Sequence, residues 1–233
     1  MITTDILVKT YPTDYDWLPF LFRSLPRVTG YRNLMVLLEE QYPEPAGLPA
    51  NARVIRSRRY VDTDIPSGMG AVVERLRAWS YTDAERLLFV DSDCVFIRTV
   101  DIQTEPTINI AKPIVVWRTW EESGPGKCWR ARAASVLGYD PQIETMVRYP
   151  FCFPTSLMRA FWDFVGGEER LLHLPEMTDW NALGNYALDK HAGEVTKVYW
   201  TNIGAPCLRQ FWSWHRPTHP EVQAELRSLG LAP

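Results

Sequence analysis

The sequence has no long apolar run. Its longest is Leu34-Met35-Val36-Leu37-Leu38, and a membrane-crossing helix needs about 20 residues, so no span is expected. The opening Met1-Ile2-Thr3-Thr4-Asp5 lacks the basic start and apolar stretch of a secretory signal, which makes the cytoplasm the expected location. Cysteine is scarce: Cys94, Cys128, Cys152 and Cys207 are far apart and form no CxxC pair. That spacing argues against a cysteine zinc site and for buried free thiols. Positive charge is not in excess either. Lys and Arg total 25 against 28 Asp and Glu, a net charge of -3. The whole molecule is therefore not a polycation built to coat nucleic acid, although a local basic patch stays open. Internal repeats, low-complexity stretches and long linkers are absent.

What is present is an ordinary globular composition, 46% hydrophobic and 23% charged over 233 residues. One domain spanning 1–233 is expected. Two biases stand out: 10 Trp with 10 Tyr, and 20 Arg against 5 Lys. Aromatic faces suit sugar rings and bases, and the arginine fork suits phosphate.

The first hundred residues alternate between strand and helix patterns. Asp5–Tyr11, Asn33–Leu38 and Arg53–Ser57 read as strands, and Leu87–Val90 as a fourth, apolar throughout. Trp17, Phe20, Leu21 and Leu25 recur at helical spacing after the Pro12-Thr13-Asp14 turn, and a second helix opens at Ser67-Gly68 and runs to about Trp79. This predicts an α/β fold with a mostly parallel sheet, whose ligands sit beyond the carboxyl ends of the strands. In the second half, Ile114–Trp117 reads as a strand and Gly124–Lys127 as a flexible loop. Helices are expected over Ser156–Val165, over Asp179–His191 with Thr178 as cap, and over Pro220–Leu229.

The sharpest signal is Leu87-Leu88-Phe89-Val90-Asp91-Ser92-Asp93. Side chains two apart on extended backbone share a face, so Asp91 and Asp93 are expected together at a strand's carboxyl end. Two close carboxylates repel unless a cation or donor lies between them. Mg2+ or Mn2+ with a diphosphate is the natural partner, being oxygen-seeking and phosphate-bridging.

With that motif in this order of elements, the chain resembles the glycosyltransferases of the GT-A fold, and within them a group of predicted bacterial and phage enzymes. The likeness runs through Lys9-Thr10-Tyr11-Pro12, the Gly68-led helix, Asp91-Ser92-Asp93, and Asp179-Trp180-Asn181-Ala182-Leu183-Gly184-Asn185-Tyr186-Ala187. It implies a Rossmann-related sheet flanked by helices. About residues 1–100 would be a nucleotide-binding half and 101–233 an acceptor half. It further implies a divalent metal and a nucleoside-diphosphate sugar donor, a UDP-sugar first. Thr10 and Tyr11 would flank the base, Asp91 would face the ribose or donor sugar, and Asp93 would be the firmer metal ligand. Arg75 or Arg77 would approach the donor. The helix here reads Gly68-Met69-Gly70-Ala71-Val72-Val73-Glu74-Arg75 rather than Gly-aromatic with glutamines and a lysine, which leaves the donor sugar open.

Transfer needs a carboxylate near the acceptor hydroxyl. Glu176 and Asp179 offer two, beside Trp180, whose ring could stack on a sugar; Asp179 matches the family acid, and it also suits the first turn of a helix. His215 could complete the metal site, as a late histidine does in some GT-A enzymes, with Arg216 on the diphosphate. Arg53, Arg56, Arg58 and Arg59 form a basic run that is either a solvated strand end, a diphosphate clamp, or a contact with DNA. The acceptor is correspondingly a glycan or small molecule, or a hydroxymethylated base in phage-type DNA.

Three other classes compete. A haloacid-dehalogenase-like phosphatase would use Asp91 as nucleophile and Asp93 as acid, but its motif belongs on a first strand and needs a downstream acidic pair. A nucleotidyltransferase would carry a Gly-rich basic loop where Pro12-Thr13-Asp14-Tyr15-Asp16 is acidic. A non-catalytic binding module would rest on the aromatics alone.

Overall fold

The computed structural model describes residues 1–58, 69–147, 150–174, 178–211 and 216–231. The main strands are β1 (Thr4–Lys9), β2 (Leu34–Glu39), β3 (Ala52–Ser57), β4 (Arg86–Asp91), β5 (Cys94–Phe96), β6 (Ile114–Thr119), β7 (Phe151–Pro154), β8 (Thr196–Tyr199) and β9 (Leu208–Gln210). The helices are α1 (Leu18–Ser24), α2 (Met69–Leu76), α3 (Trp129–Leu137), α4 (Thr155–Phe164), α5 (Gly167–Leu172), α6 (Asp179–Lys190) and α7 (Pro220–Ser228).

The central sheet runs β7-β4-β1-β2-β3. β4, β1, β2 and β3 are parallel, and β7 closes the β4 edge antiparallel. β1 is buried at every position, because helices cover both faces of a parallel sheet. Alternate side chains divide the core in two. Leu7, Leu37 and Phe89 pack with Val73 and Leu76 of α2, Phe161 of α4 and Leu183 of α6. Ile6, Val8, Val36 and Val90 pack on the other face with Leu18 and Leu21 of α1. The mostly parallel α/β architecture expected from the alternating patterns is the one observed.

The strand order reverses at β1. From there the chain builds outward to β2 and β3, then returns to place β4 on the other side. Lys9 and Asp91, the last residues of β1 and β4, are register partners. A crevice outside these two strand ends is where such sheets hold ligands.

Smaller pairings complete the site. β9 lies antiparallel to β5, with Gln210 opposite Cys94. β8 lies parallel to β6, and Ile143–Glu144 bridges to Thr119 and Arg118.

Several local readings change. Gly124–Cys128 is a 3-10 turn feeding α3 rather than a flexible loop. The second helix ends at Leu76, and Ala78–Tyr81 forms a 3-10 turn. Thr178 occupies the cap position of α6 but makes no capping bond; its hydroxyl accepts from Asn181 Nδ2 at 3.3 Å instead. Cys94, Cys152 and Cys207 are buried free thiols, whereas Cys128 is exposed. Gly184 has a steric reason: a Cβ there would lie 2.4 Å from Thr145 Oγ1. The helix can cross that buried threonine only where it carries no side chain. No helix among the described residues is long and apolar enough to cross a membrane.

Candidate functional site

The crevice is floored by acids. Asp91 ends β4, and Asp93 follows two residues later with 5% of its surface exposed. Burial, then the charge of Asp91, pushes the Asp93 carboxyl up to about 7. Gln210 acts the other way, donating from Nε2 to Asp93 Oδ1 at 3.4 Å, and Phe211 N–H fixes the Asp93 carbonyl at 3.0 Å. A third carboxylate, Asp14, is buried behind them. It accepts from the Ser92 hydroxyl at 2.9 Å, and burial raises its pKa while bonds from Ser92 and Tyr11 resist the shift. Tyr11 stands at the rim, 38% exposed. Desolvation of its hydroxyl, then the charges of Asp14 and Asp91, hold the phenol up at about 12.

The opposite wall is basic. Arg75 of α2 donates from Nε to Asp179 Oδ2 at 2.5 Å, and its guanidinium carbon lies 5.8 Å from the Trp180 ring centroid. Its charge is felt at both Lys9 and Tyr11. Arg216 comes in from the late segment, donating to the Thr13 carbonyl at 3.1 Å above the Tyr11–Asp14 turn.

Among the described residues, two buried polar atoms at the end of β1 have no hydrogen-bond partner: Lys9 Nζ and Thr10 Oγ1. Lys9 has a loose ion pair with Glu39, at 3.8 Å. Burial, opposed by Glu39, draws its pKa below the usual lysine range. Buried orphan polar groups cost about 1–3 kcal/mol each, and a ligand that satisfies them recovers that cost.

Lys9, Asp14 and Gln210 were not visible as site residues in the sequence. Lys9 looks like one polar residue at a strand end. Asp14 reads as a turn residue, and Gln210 sits in no motif. Only the β1–β4 and β5–β9 pairings bring them to the acids.

The structure separates other candidates from the site. Arg77 lies two residues after Arg75, about 200° around the helix, so the two cannot face the crevice together. Arg77 bonds Glu74 at 2.8 Å and Glu168 at 3.0 Å, and its expected approach to a donor is replaced by this role between α2 and α5. Trp180 does not offer an open face to a sugar. It is 2% exposed, stacked on Phe151 at 4.6 Å and edge-on to Phe89 at 4.8 Å, and the apolar core under β4 and β7 has claimed its rings. The described members of the basic run have other partners, Arg58 pairing with Glu168. β3 is three strand spacings, about 14 Å, from β4, and Arg53 bonds the Tyr81 carbonyl while Arg56 bonds Tyr42 and Glu44. Glu176, His215 and Arg59 lie outside the described residues.

The acid pair fits a divalent metal. Asp91 and Asp93 are hard oxygen donors whose mutual repulsion a cation would relieve. Among the described residues no cluster of three Asp, Glu, His or Cys could hold an ion alone, so a metal here would also need oxygens from a ligand or water.

No protein-family model and no curated protein matches the chain. Solved structures do. The crystal structure of an active-site mutant of LgtC, a GT-A glycosyltransferase, aligns over 97% of this chain and 95% of its own, with a TM-score of 0.58 and 13% identity. The chain has a GT-A-like fold. At that identity the likeness is one of architecture. Within a GT-A-like fold, the acid floor at the β1–β4 switch is the crevice in which a ligand is to be sought.

Proposed function

We propose that the chain is a metal-dependent glycosyltransferase that moves a sugar from a nucleoside-diphosphate sugar, a UDP-sugar first, to an acceptor hydroxyl. The observation that carries the reading is the Asp91–Asp93 pair at the topological switch of a GT-A-like sheet, faced by Arg75 and the orphan donors of Lys9 and Thr10. The same architecture supports glycosyl transfer over the phosphatase alternative. About residues 1–100 form the nucleotide-binding half and 101–233 the acceptor half.

Each residue then has a task. Tyr11 and Thr10 flank the base, with Arg216 steadying the turn that carries Tyr11 and reaching the diphosphate side. Asp93 and Asp91 would hold Mn2+ or Mg2+, with His215 as a further ligand. When bound, the metal neutralises charge building on the leaving diphosphate. Gln210 orients Asp93 and favours its charged form. Arg75 adds a positive charge on the donor side, and Asp179 aims Arg75, since the carboxylate already has both oxygens engaged. Glu176 is left to take the proton from the acceptor hydroxyl.

A thermal-shift panel of UDP-, GDP-, dTDP- and CMP-sugars, with and without Mn2+, tests this. Ligand at about 100 times its Kd stabilises by about 2.7 kcal/mol, or about 5–11 °C at this size. A shift for one nucleotide class that needs Mn2+ and vanishes in D93N is the expected result. No shift with any nucleotide sugar overturns the reading.

A further inference from the structure

Away from the acid floor, the carboxyl ends of β6 and β8 carry a cluster of accessible aromatic rings. Trp117 and Tyr199 have centroids 5.0 Å apart, and Tyr199 and Trp200 6.5 Å apart, inclined at 58° and 65°. Trp200 is 42% exposed, and Trp117 and Tyr199 are partly so. One carboxylate holds the polar tips of two rings. Glu122 accepts from the Tyr199 hydroxyl and from Trp200 Nε1. It is itself anchored by the Thr119 N–H at 2.8 Å and the Thr119 hydroxyl at 2.9 Å. The Lys197 ammonium sits 4.4 Å from the Trp117 centroid.

The arrangement has no core to serve. Trp180 and Trp120 are buried, as large rings usually are. Here rings are instead fixed at their polar edges, so that solvent-facing surface is presented with little conformational freedom left to lose. Rigid aromatic faces bordered by an ammonium donor match a pyranose. A sugar ring has an apolar C–H face to lie on an aromatic and hydroxyls that both donate and accept.

We propose that Trp117, Tyr199 and Trp200 form a carbohydrate-binding platform, braced from within by Glu122 and edged by the Lys197 ammonium as donor. Charge selects sugar over nucleic acid: Glu121 and Glu122 are both exposed here, and a phosphate backbone would meet their repulsion with Lys197 as the local counter-charge. On the opposite face of the strand that carries Trp117, a chain of contacts leads toward α6. Arg118, beside Trp117, pairs with Glu144. The next residue, Thr145, donates from its N–H to Asn181 Oδ1 at 2.7 Å, two positions after Asp179. As the seat of the acceptor, this surface rests on the glycosyl-transfer reading and names the acceptor a glycan. As a sugar-binding surface it stands on its own geometry.

The test is a glycan array of α- and β-linked hexopyranosides probed without nucleotide or metal, followed by titration of the retained glycan. Wild type should retain a subset of glycans. W200A and Y199A should each weaken binding by about tenfold or more, the scale of one lost aromatic contact. E122Q should weaken it by a smaller factor, and D93N should leave it unchanged. Trp200 is exposed enough that W200A folds, which its melting temperature would verify. Retention of no glycan, or unchanged binding by W200A and Y199A, overturns the proposal, as does tighter binding of oligo-thymidine that these substitutions abolish. Because the array contains no donor, failure here is separate from failure of the nucleotide-sugar panel.

Discussion

Arg75 on α2 and Asp179 at the start of α6 are joined at 2.5 Å, and the other Asp179 oxygen accepts from the Trp180 N–H at 2.9 Å. An acid so engaged is better placed to aim an arginine than to receive a proton. The amide of D179N can still accept from Arg75, giving up the bond from the Trp180 N–H, but cannot act as a base. D179N should therefore keep kcat/KM within about tenfold of wild type, while D179A and R75A should lose about a hundredfold or more, mainly through donor KM. Equal collapse of kcat in D179N and D179A, with donor KM unchanged, would identify Asp179 as the base instead.

The raised Asp93 carboxyl makes a pH prediction with a definite sign. The folded protein holds this proton up to about 7, whereas an unfolded aspartic acid loses it near 3.9. Between those values the folded state binds more protons than the unfolded chain, so this group's contribution to stability falls as pH rises. Urea denaturation from pH 4.5 to 8 should show wild type losing more stability than D93N across that window, by about 1–4 kcal/mol. Parallel curves for the two proteins would contradict the assignment.

Lys9 invites a substitution whose two effects oppose each other. Its ammonium is buried, and among the described residues it has a loose ion pair with Glu39 but no close hydrogen bond, which is costly to the free protein. K9M keeps the length and removes the charge. The variant should be as stable as wild type or about 1 kcal/mol more stable, yet bind the nucleotide-sugar donor about tenfold or more weakly. Isothermal titration beside a melting curve separates the two effects. A K9M protein that is clearly less stable and binds donor normally would show that Lys9 belongs to the fold rather than to the site.

The parallel sheet was legible because its strands are apolar runs bounded by turn residues, and because β4 ends in Asp91-Ser92-Asp93. Trp180 shows where that reading stops. In the sequence it stands beside two acids as a sugar platform would, but Phe89, Phe151 and Phe153 come from two different strands, and only the β4–β7 pairing reveals that they enclose it. Between Arg75 and Arg77 the sequence could not choose, for want of helix phase relative to the crevice. Trp180→Ala should accordingly cost about 3–5 kcal/mol of stability by opening a cavity, measured by urea denaturation. A folded variant of wild-type stability with lost sugar affinity would restore the stacking role.

Gln210 provides the sharpest test of the acid floor, because in the proposed site it would act on a metal through Asp93. β9 carries it to Asp93 by pairing with β5, and its Nε2–H bond at 3.4 Å favours the charged carboxylate against burial and Asp91. Q210L keeps the packing volume and deletes that donor, so the Asp93 pKa should rise further. A metal must then displace a more tightly held proton. Mn2+ affinity, followed by thermal shift, should fall several-fold at pH 7 and recover toward wild type at pH 8.5, where Asp93 ionises in both proteins. A loss of the same size at both pH values would instead make Gln210 a direct ligand through its amide oxygen. No loss at either would remove it from the site.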